Sequence, residues 1–206
     1  MRTTALLLAV LCFAAPARAG DLAVSFATPR GQPITDAVVM VRPASGAARA
    51  RVAGPYRMAQ KDMAFEPYVL IVPVGAEVAF PNLDTVRHHV YSFSPAKRFE
   101  LKLYGRDQTR FVRFDKAGVV GIGCNIHDNM SAFVRVVDTP FAVKTTADGA
   151  LLRDLPPGPA RVVVWHPLLK TAGGEIARDV TIPASGAVRI AFAGELRSPR
   201  LRHGGY

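Results

Sequence analysis

Three side chains that bind soft metal ions lie three residues apart in the second half of the sequence. Cys124, His127 and Met130 supply a thiolate, an imidazole and a thioether on one short segment. Two apolar stretches flank this segment, at residues 119–123 and 132–137, and each is typical of a β-strand. A loop between two strands can turn all three side chains towards one point. Two imidazoles, a thiolate and a weakly bound thioether are the ligands of a trigonal copper centre, so one further histidine is expected.

The pair His88 and His89 offers this second imidazole, because it follows a loop and begins another apolar stretch. Neighbouring side chains of a strand point to opposite faces, so only one of the two is expected to bind the ion. We predict His88 as the ligand and keep His89 as the alternative. Met130 also has an alternative role as core filler, since methionine fits irregular gaps.

Other roles for Cys124 are an inert buried thiol, a zinc ligand or a nucleophile paired with His127. Zinc is less natural with a thioether. A cysteine–histidine nucleophile needs a third group that orients the histidine, and the sequence offers no evident one. The complete set therefore favours one mononuclear copper ion, with no catalytic residues and no further cofactor. A site filled by four protein ligands leaves no position for a substrate, so an enzyme is not expected.

The first nineteen residues have the pattern of a secretory signal peptide. Arg2 precedes a short apolar run, and residues 17–19 form a small-x-small cleavage site before Gly20. No later stretch reaches the length of a membrane span. These features predict export to the periplasm. They also leave Cys124 as the single cysteine of the mature chain, which excludes an internal disulfide.

The composition is basic, with a formal net charge of +10 over 206 residues. Such a charge favours acidic partner proteins and an association that weakens with salt. Nucleic acid is not an expected partner, because the basic residues are scattered rather than interleaved with aromatic ones. The oligomeric state is not indicated by the sequence.

Short alternating strands with glycine, proline and asparagine between them predict an all-β sandwich. We divide the chain at residue 138, where a turn-rich segment follows the last apolar stretch. Residues 20–138 form the predicted metal-binding domain, and residues 43–66 are a long excursion with a short helix near residues 58–63. Residues 139–194 form a small β extension. The remainder, 195–206, is a basic tail that we predict to be disordered.

Residues 66–137 resemble the cupredoxins of the plastocyanin and amicyanin group. The loop from Cys124 to Met130 has the short amicyanin-like spacing, and His88-x-Val90 resembles the motif that carries the first ligand there. The resemblance implies a Greek-key β-sandwich and the ligands His88, Cys124, His127 and Met130. His89 replaces the asparagine whose side chain ties the two ligand loops in that family.

A finer resemblance is to exported cupredoxin-like proteins described as methylamine utilization proteins. It rests on the segments Pro73-Val-Gly75, Phe80-Pro-Asn82-x-Asp84, Cys124-Asn-Ile-His127, Leu155-Pro-Pro-Gly158 and Val164-Trp165-His166. The C-terminal part also resembles small carboxypeptidase-regulatory-like sandwiches. The expected function is periplasmic one-electron transfer between redox partner proteins, with His127 as the electron port and Ile126 and Phe133 as a docking patch. The alternative is a copper chaperone or assembly factor that carries no electrons.

Overall fold

The structure, a computed structural model, describes residues 19–198. The predicted signal peptide (1–19) lies outside this range except for its last residue, and so does the end of the predicted tail, 199–206. Short strands dominate the described chain, together with one 3₁₀ turn at Ala172–Gly174. The strands are Gly20–Ala27 (β1), Val38–Pro43 (β2), Tyr56–Arg57 (β3), Ala59–Lys61 (β4), Ala64–Glu66 (β5), Val69–Pro73 (β6), Ala76–Pro81 (β7), His88–Ser94 (β8), Lys97–Tyr104 (β9), Thr109–Phe114 (β10), Gly118–Cys124 (β11), Ser131–Val137 (β12), Ala142–Lys144 (β13), Ala150–Leu155 (β14), Gly158–Trp165 (β15), Glu175–Ile182 (β16) and Ala187–Ala193 (β17).

The middle of the chain forms a sandwich of two sheets, which we call the first sandwich. Its larger sheet has the order β6-β12-β11-β8-β9, and its smaller sheet has the order β10-β7-β3. Alternate side chains of both sheets meet in one apolar core, as strand periodicity requires. The core includes Phe80, Phe114, Val120 and Val134, all completely buried. The predicted all-β sandwich is confirmed.

The remaining sheets, β14-β1-β17 and β13-β2-β15-β16, enclose a separate core and form the second sandwich. Strand β1 pairs in parallel with β17 from Asp21↔Ala187 to Ala27↔Ala193. This pairing differs from the sequence division, which placed residues 20–43 with the metal-binding domain. Local periodicity identifies a strand but not a partner so far along the chain. We therefore propose a division by sheets, in which residues 20–43 join residues 139–194.

The two sandwiches pack against each other through strands that are buried on both faces. In β15, Val162 and Val164 face the core of the second sandwich, whereas Val163 and Trp165 face the first sandwich. Burial on both faces explains why the sequence of β15 is continuously apolar rather than alternating. At the edge of this contact the guanidinium of Arg135 lies 2.6 Å from the carboxylate of Glu175.

Two local predictions are wrong. Residues 58–63 form no helix, because the chain there makes the β4–β5 hairpin, in which Ala59 pairs with Glu66. The beginning of the predicted disordered tail is part of the fold: Leu196 bridges Leu169, and the Arg197 amide donates to the Leu168 carbonyl at 2.7 Å. Between residues 19 and 198, no helix is long and apolar enough to cross a bilayer.

Candidate metal centre

His88 is the first residue of β8 and is completely buried. The loop before it is fixed by Asn82, whose side-chain amide donates to the carbonyls of Val86 (2.9 Å) and Tyr104 (3.1 Å). Asn82 is itself completely buried. Asn82 thus holds Val86, near the end of the loop, and also Tyr104 of β9, which pairs with His88; together these contacts fix the position of His88.

The second segment runs from Cys124, at the end of β11, to Met130, immediately before β12. It closes tightly, since the Cys124 amide donates to the Met130 carbonyl (3.3 Å) and the Met130 amide donates to the His127 carbonyl (3.0 Å). The Asn125 amide also donates to the carbonyl of His89 at 3.0 Å. This backbone bond joins the two ligand-bearing segments.

Three donor atoms of these segments converge on one point. The Cys124 Sγ lies 3.7 Å from the His88 Nδ1 and 3.7 Å from the His127 Nδ1. All three donor atoms lie within 4.8 Å of one another. An ion with trigonal bonds of about 2.0 Å to nitrogen and about 2.3 Å to sulfur separates such donors by about 3.7 Å. The donor set therefore fits a metal ion without rearrangement of the chain.

The imidazole of His89 is directed away from the position where the three donor atoms converge. Its Nε2 lies 2.8 Å from the Glu100 Oε1 on the neighbouring strand, and the Glu100 side chain is 57% exposed. The alternation of side chains along β8 thus brings the imidazole of His88 to Cys124 and turns His89 towards the surface.

Met130 is also buried, with 2% of its surface exposed, and it packs in the same core as Cys124. The hydrogen bond between the Cys124 amide and the Met130 carbonyl keeps these two residues side by side. Met130 therefore lies next to Cys124, and its role as a metal ligand stays a prediction.

Asp84 contacts His88 of the centre, although we predicted no role for it from the sequence. Its Oδ2 lies 2.7 Å from the Nε2 of His88, on the side of the ring opposite Nδ1. Burial by itself raises the pKa of the Asp84 carboxyl. The hydrogen bonds from His88 and from the backbone amides of Met63 and Asp62 outweigh this effect and hold the pKa below its ordinary value of 3.8. Asp84 is therefore an anion at neutral pH. The signals in the sequence were the spacing of four residues to His88 and the place of Asp84 in the segment Phe80-Pro-Asn82-x-Asp84.

The surface of the centre differs from the expected docking patch. His127 is half-buried, and its neighbour Ile126 is 50% exposed, as an electron port would require. Phe133, however, packs between the sandwiches, with its ring 5.9 Å from that of Trp165. The apolar residues that are exposed on the loop before His88 are Leu83 (38%) and Val86 (41%).

Comparison with solved structures gave several copper proteins. A copper-containing nitrite reductase from Thermus scotoductus SA-01 is 26% identical (TM-score 0.40), and the match covers 47% of this chain but 25% of the reductase. A purple cupredoxin from Nitrosopumilus maritimus is 21% identical (TM-score 0.37; 40% of this chain, 100% of the cupredoxin). The Cu(I) form of an amicyanin mutant is 22% identical (TM-score 0.38; 50% of this chain, 99% of amicyanin). The described chain is all-β, as its own strands and sheets show.

No protein-family model matches the sequence, and the search of curated proteins gave no match. The matching structures are similar to half of this chain or less. The side chains of the candidate centre, rather than these similarities, therefore carry the function proposed below.

Proposed function

We propose that the chain binds one mononuclear copper ion through His88, Cys124 and His127, with Met130 as a weak axial ligand, and serves in one-electron transfer between periplasmic redox partners. The observation that carries the proposal is the convergence of one thiol sulfur and two imidazole Nδ1 atoms, each nitrogen 3.7 Å from the sulfur. Periplasmic location depends on the predicted signal peptide. The finer resemblance to the methylamine utilization type stays a prediction supported by the sequence segments.

The donor chemistry favours copper over zinc. A structural zinc site takes four strong nitrogen, sulfur or oxygen donors, whereas a thioether is a soft, weak ligand that suits copper. A bound copper ion would supply a one-electron couple between Cu(I) and Cu(II). If Met130 binds the ion together with His88, Cys124 and His127, four protein ligands fill the site and leave no position for a substrate, which supports a carrier rather than an enzyme.

The protein's own residues suit electron transfer in two ways. The ligands lie at strand ends and on a loop closed by backbone hydrogen bonds, so they need to move little between oxidation states. His88 is completely buried, whereas His127 is half-buried beside the exposed Ile126. The imidazole of His127 is therefore the route by which a partner approaches the centre. The net charge of +10 favours acidic partners.

The proposal is tested on purified protein loaded with Cu(II). We expect an intense visible band from thiolate-to-copper charge transfer, a matching electron paramagnetic resonance signal, and reversible reduction with the copper retained. His88→Ala should abolish the band, and His89→Ala should leave it unchanged. Absence of the band in the unmodified protein would refute the proposal. Transfer of copper to an apo-acceptor without reversible reduction would favour the chaperone alternative.

The axial role of Met130 leads to a separate prediction. Met130→Leu keeps the volume and apolar character of the side chain but removes the sulfur, so the fold should lose less than about 1.5 kcal/mol. A weak axial ligand tunes the potential of such centres. We expect the variant to keep its visible band and to have a higher reduction potential, measured by redox titration. An unchanged potential would identify Met130 as core filler.

A further inference from the structure

A buried carboxylate touches the histidine that enters the centre from β8. The Asp84 Oδ2 lies 2.7 Å from the His88 Nε2, with the His88 side chain 0% and the Asp84 side chain 10% exposed. The other ring nitrogen of His88 faces the Cys124 Sγ at 3.7 Å. The imidazole thus lies between a negative charge on one side and the candidate ion position on the other.

The carboxylate is held in place by a separate part of the chain. Its Oδ1 accepts a hydrogen bond from the backbone amide of Asp62, at 2.6 Å, and its Oδ2 accepts one from that of Met63, at 3.1 Å. Both donors lie at the turn of the β4–β5 hairpin, where their φ values of 52° and 55° put the backbone in the left-handed region. This unusual conformation points successive amides at one carboxylate. The amide of Asp84 also donates to the Asn82 Oδ1 at 2.9 Å.

We propose that Asp84 is a positioning residue of the copper centre, which fixes the His88 ring with its proton on Nε2 and stabilises the more positive oxidation state. This inference rests on the copper-binding function proposed above. An ionised carboxylate only accepts, so His88 Nε2 must donate, and Nδ1 keeps its lone pair for the ion. The fixed negative charge interacts more favourably with Cu(II) than with Cu(I), and salt screens it only in part because His88 is buried and Asp84 is partly buried.

The chain contains a matched control for this contact. His89 and Glu100 form the same kind of pair at 2.8 Å, one residue along β8, but the carboxylate is 57% exposed and the imidazole is not a proposed ligand. Glu100→Gln removes one negative charge from an imidazole–carboxylate pair, as Asp84→Asn does. Only Asp84→Asn acts on an imidazole that faces the centre, that of His88.

The experiment compares Asp84→Asn with Glu100→Gln and the unmodified protein, measuring Cu(II) affinity, Cu(I) affinity and reduction potential. Loss of such a partner typically weakens metal binding about 10–100-fold. We expect Asp84→Asn to lose about tenfold more Cu(II) than Cu(I) affinity, which equals a potential about 59 mV higher. Glu100→Gln should change neither the two copper affinities nor the reduction potential. If Asp84→Asn behaves like Glu100→Gln, the inference is wrong while copper binding stands; if no form shows the thiolate band, the proposed function itself fails.

A second measurement needs no substitution, in case Asp84→Asn does not fold. Nitrogen-15 correlation spectra of the metal-free protein report which nitrogen of each imidazole carries the proton. We expect a slowly exchanging proton on the Nε2 of His88. A proton on Nδ1 instead would overturn the inference, since the carboxylate would then not set the tautomer.

Discussion

Replacing Cys124 with serine should remove the visible charge-transfer band of the copper-loaded protein and weaken its binding of Cu(I) by several orders of magnitude. The thiolate is the only soft anionic donor in the set of three atoms that converge on the centre, and soft sulfur ligands select Cu(I). A serine hydroxyl is smaller and stays protonated, so two imidazoles and a weak thioether would be left to hold the ion. Affinity is measured by competition with a Cu(I) chelator, and the band by absorption spectroscopy.

The matched control is Asn125→Ser, which changes the next residue of the same loop, where the side chain is exposed. Circular dichroism and the thermal midpoint of both metal-free variants should stay close to those of the unmodified protein. A band of undiminished intensity in Cys124→Ser would show that the band does not arise from a bond between Cys124 and copper. In the described chain, residues 19–198, Cys124 is the free cysteine, so no other thiol there can replace it.

The ligand loop could be predicted from the sequence because its information is local. Cys124, His127 and Met130 lie within seven residues between two apolar strands, and the structure brings the first two within 3.7 Å. The choice of His88 over His89 was less direct, since the alternation of side chains along a strand says only that the two imidazoles lie on opposite faces. The contact between His89 and Glu100 favours His88, and it could not be foreseen because it joins two neighbouring strands; ligation by His88 stays a prediction.

There is a physical reason why the proposed role of Asp84 could not be predicted from the sequence. Its carboxylate acts on His88 only because the β4–β5 hairpin supplies two amides from residues that are about twenty positions earlier in the chain. That hairpin is made of three-residue strands, which are too short to show a period, and it was expected to be helical.

The assignment of strands to sandwiches failed for a similar reason. Alternating residues identified β1, but its neighbours β14 and β17 come from the other end of the chain. In contrast, the uninterrupted apolar run from Val162 to Trp165 already carried the information that β15 is buried on both faces. The sequence did not show which surface covers the second face of β15. In the structure, that surface is the larger sheet of the first sandwich, which contains β12, the strand that follows the ligand loop.

The variant Trp165→Ala tests how strongly the contact between the two sandwiches stabilises the protein. Trp165 is 2% exposed, its ring lies 5.9 Å from that of Phe133, and the guanidinium of Arg135 lies 5.5 Å from it. Removing a buried tryptophan typically costs about 3–5 kcal/mol, and the loss of a cation–π contact adds about 0.5–2 kcal/mol. For a protein of this size, a loss of 3–5 kcal/mol lowers the thermal midpoint by about 6–20 °C.

The measurement is best made on metal-free protein, because copper binding would itself raise the thermal midpoint. Calorimetry and circular dichroism are the suitable methods, because Trp165 is the single tryptophan in the sequence and its replacement leaves no tryptophan fluorescence to follow. Phe111→Ala is the control: this ring is 60% exposed, so its loss should change stability by only about 0.5 kcal/mol. The visible band of copper-loaded Trp165→Ala should be unchanged, since Trp165 belongs to the other sandwich. A loss no larger than that of Phe111→Ala would mean that Trp165 and its contact between the sandwiches contribute little to the stability of the protein.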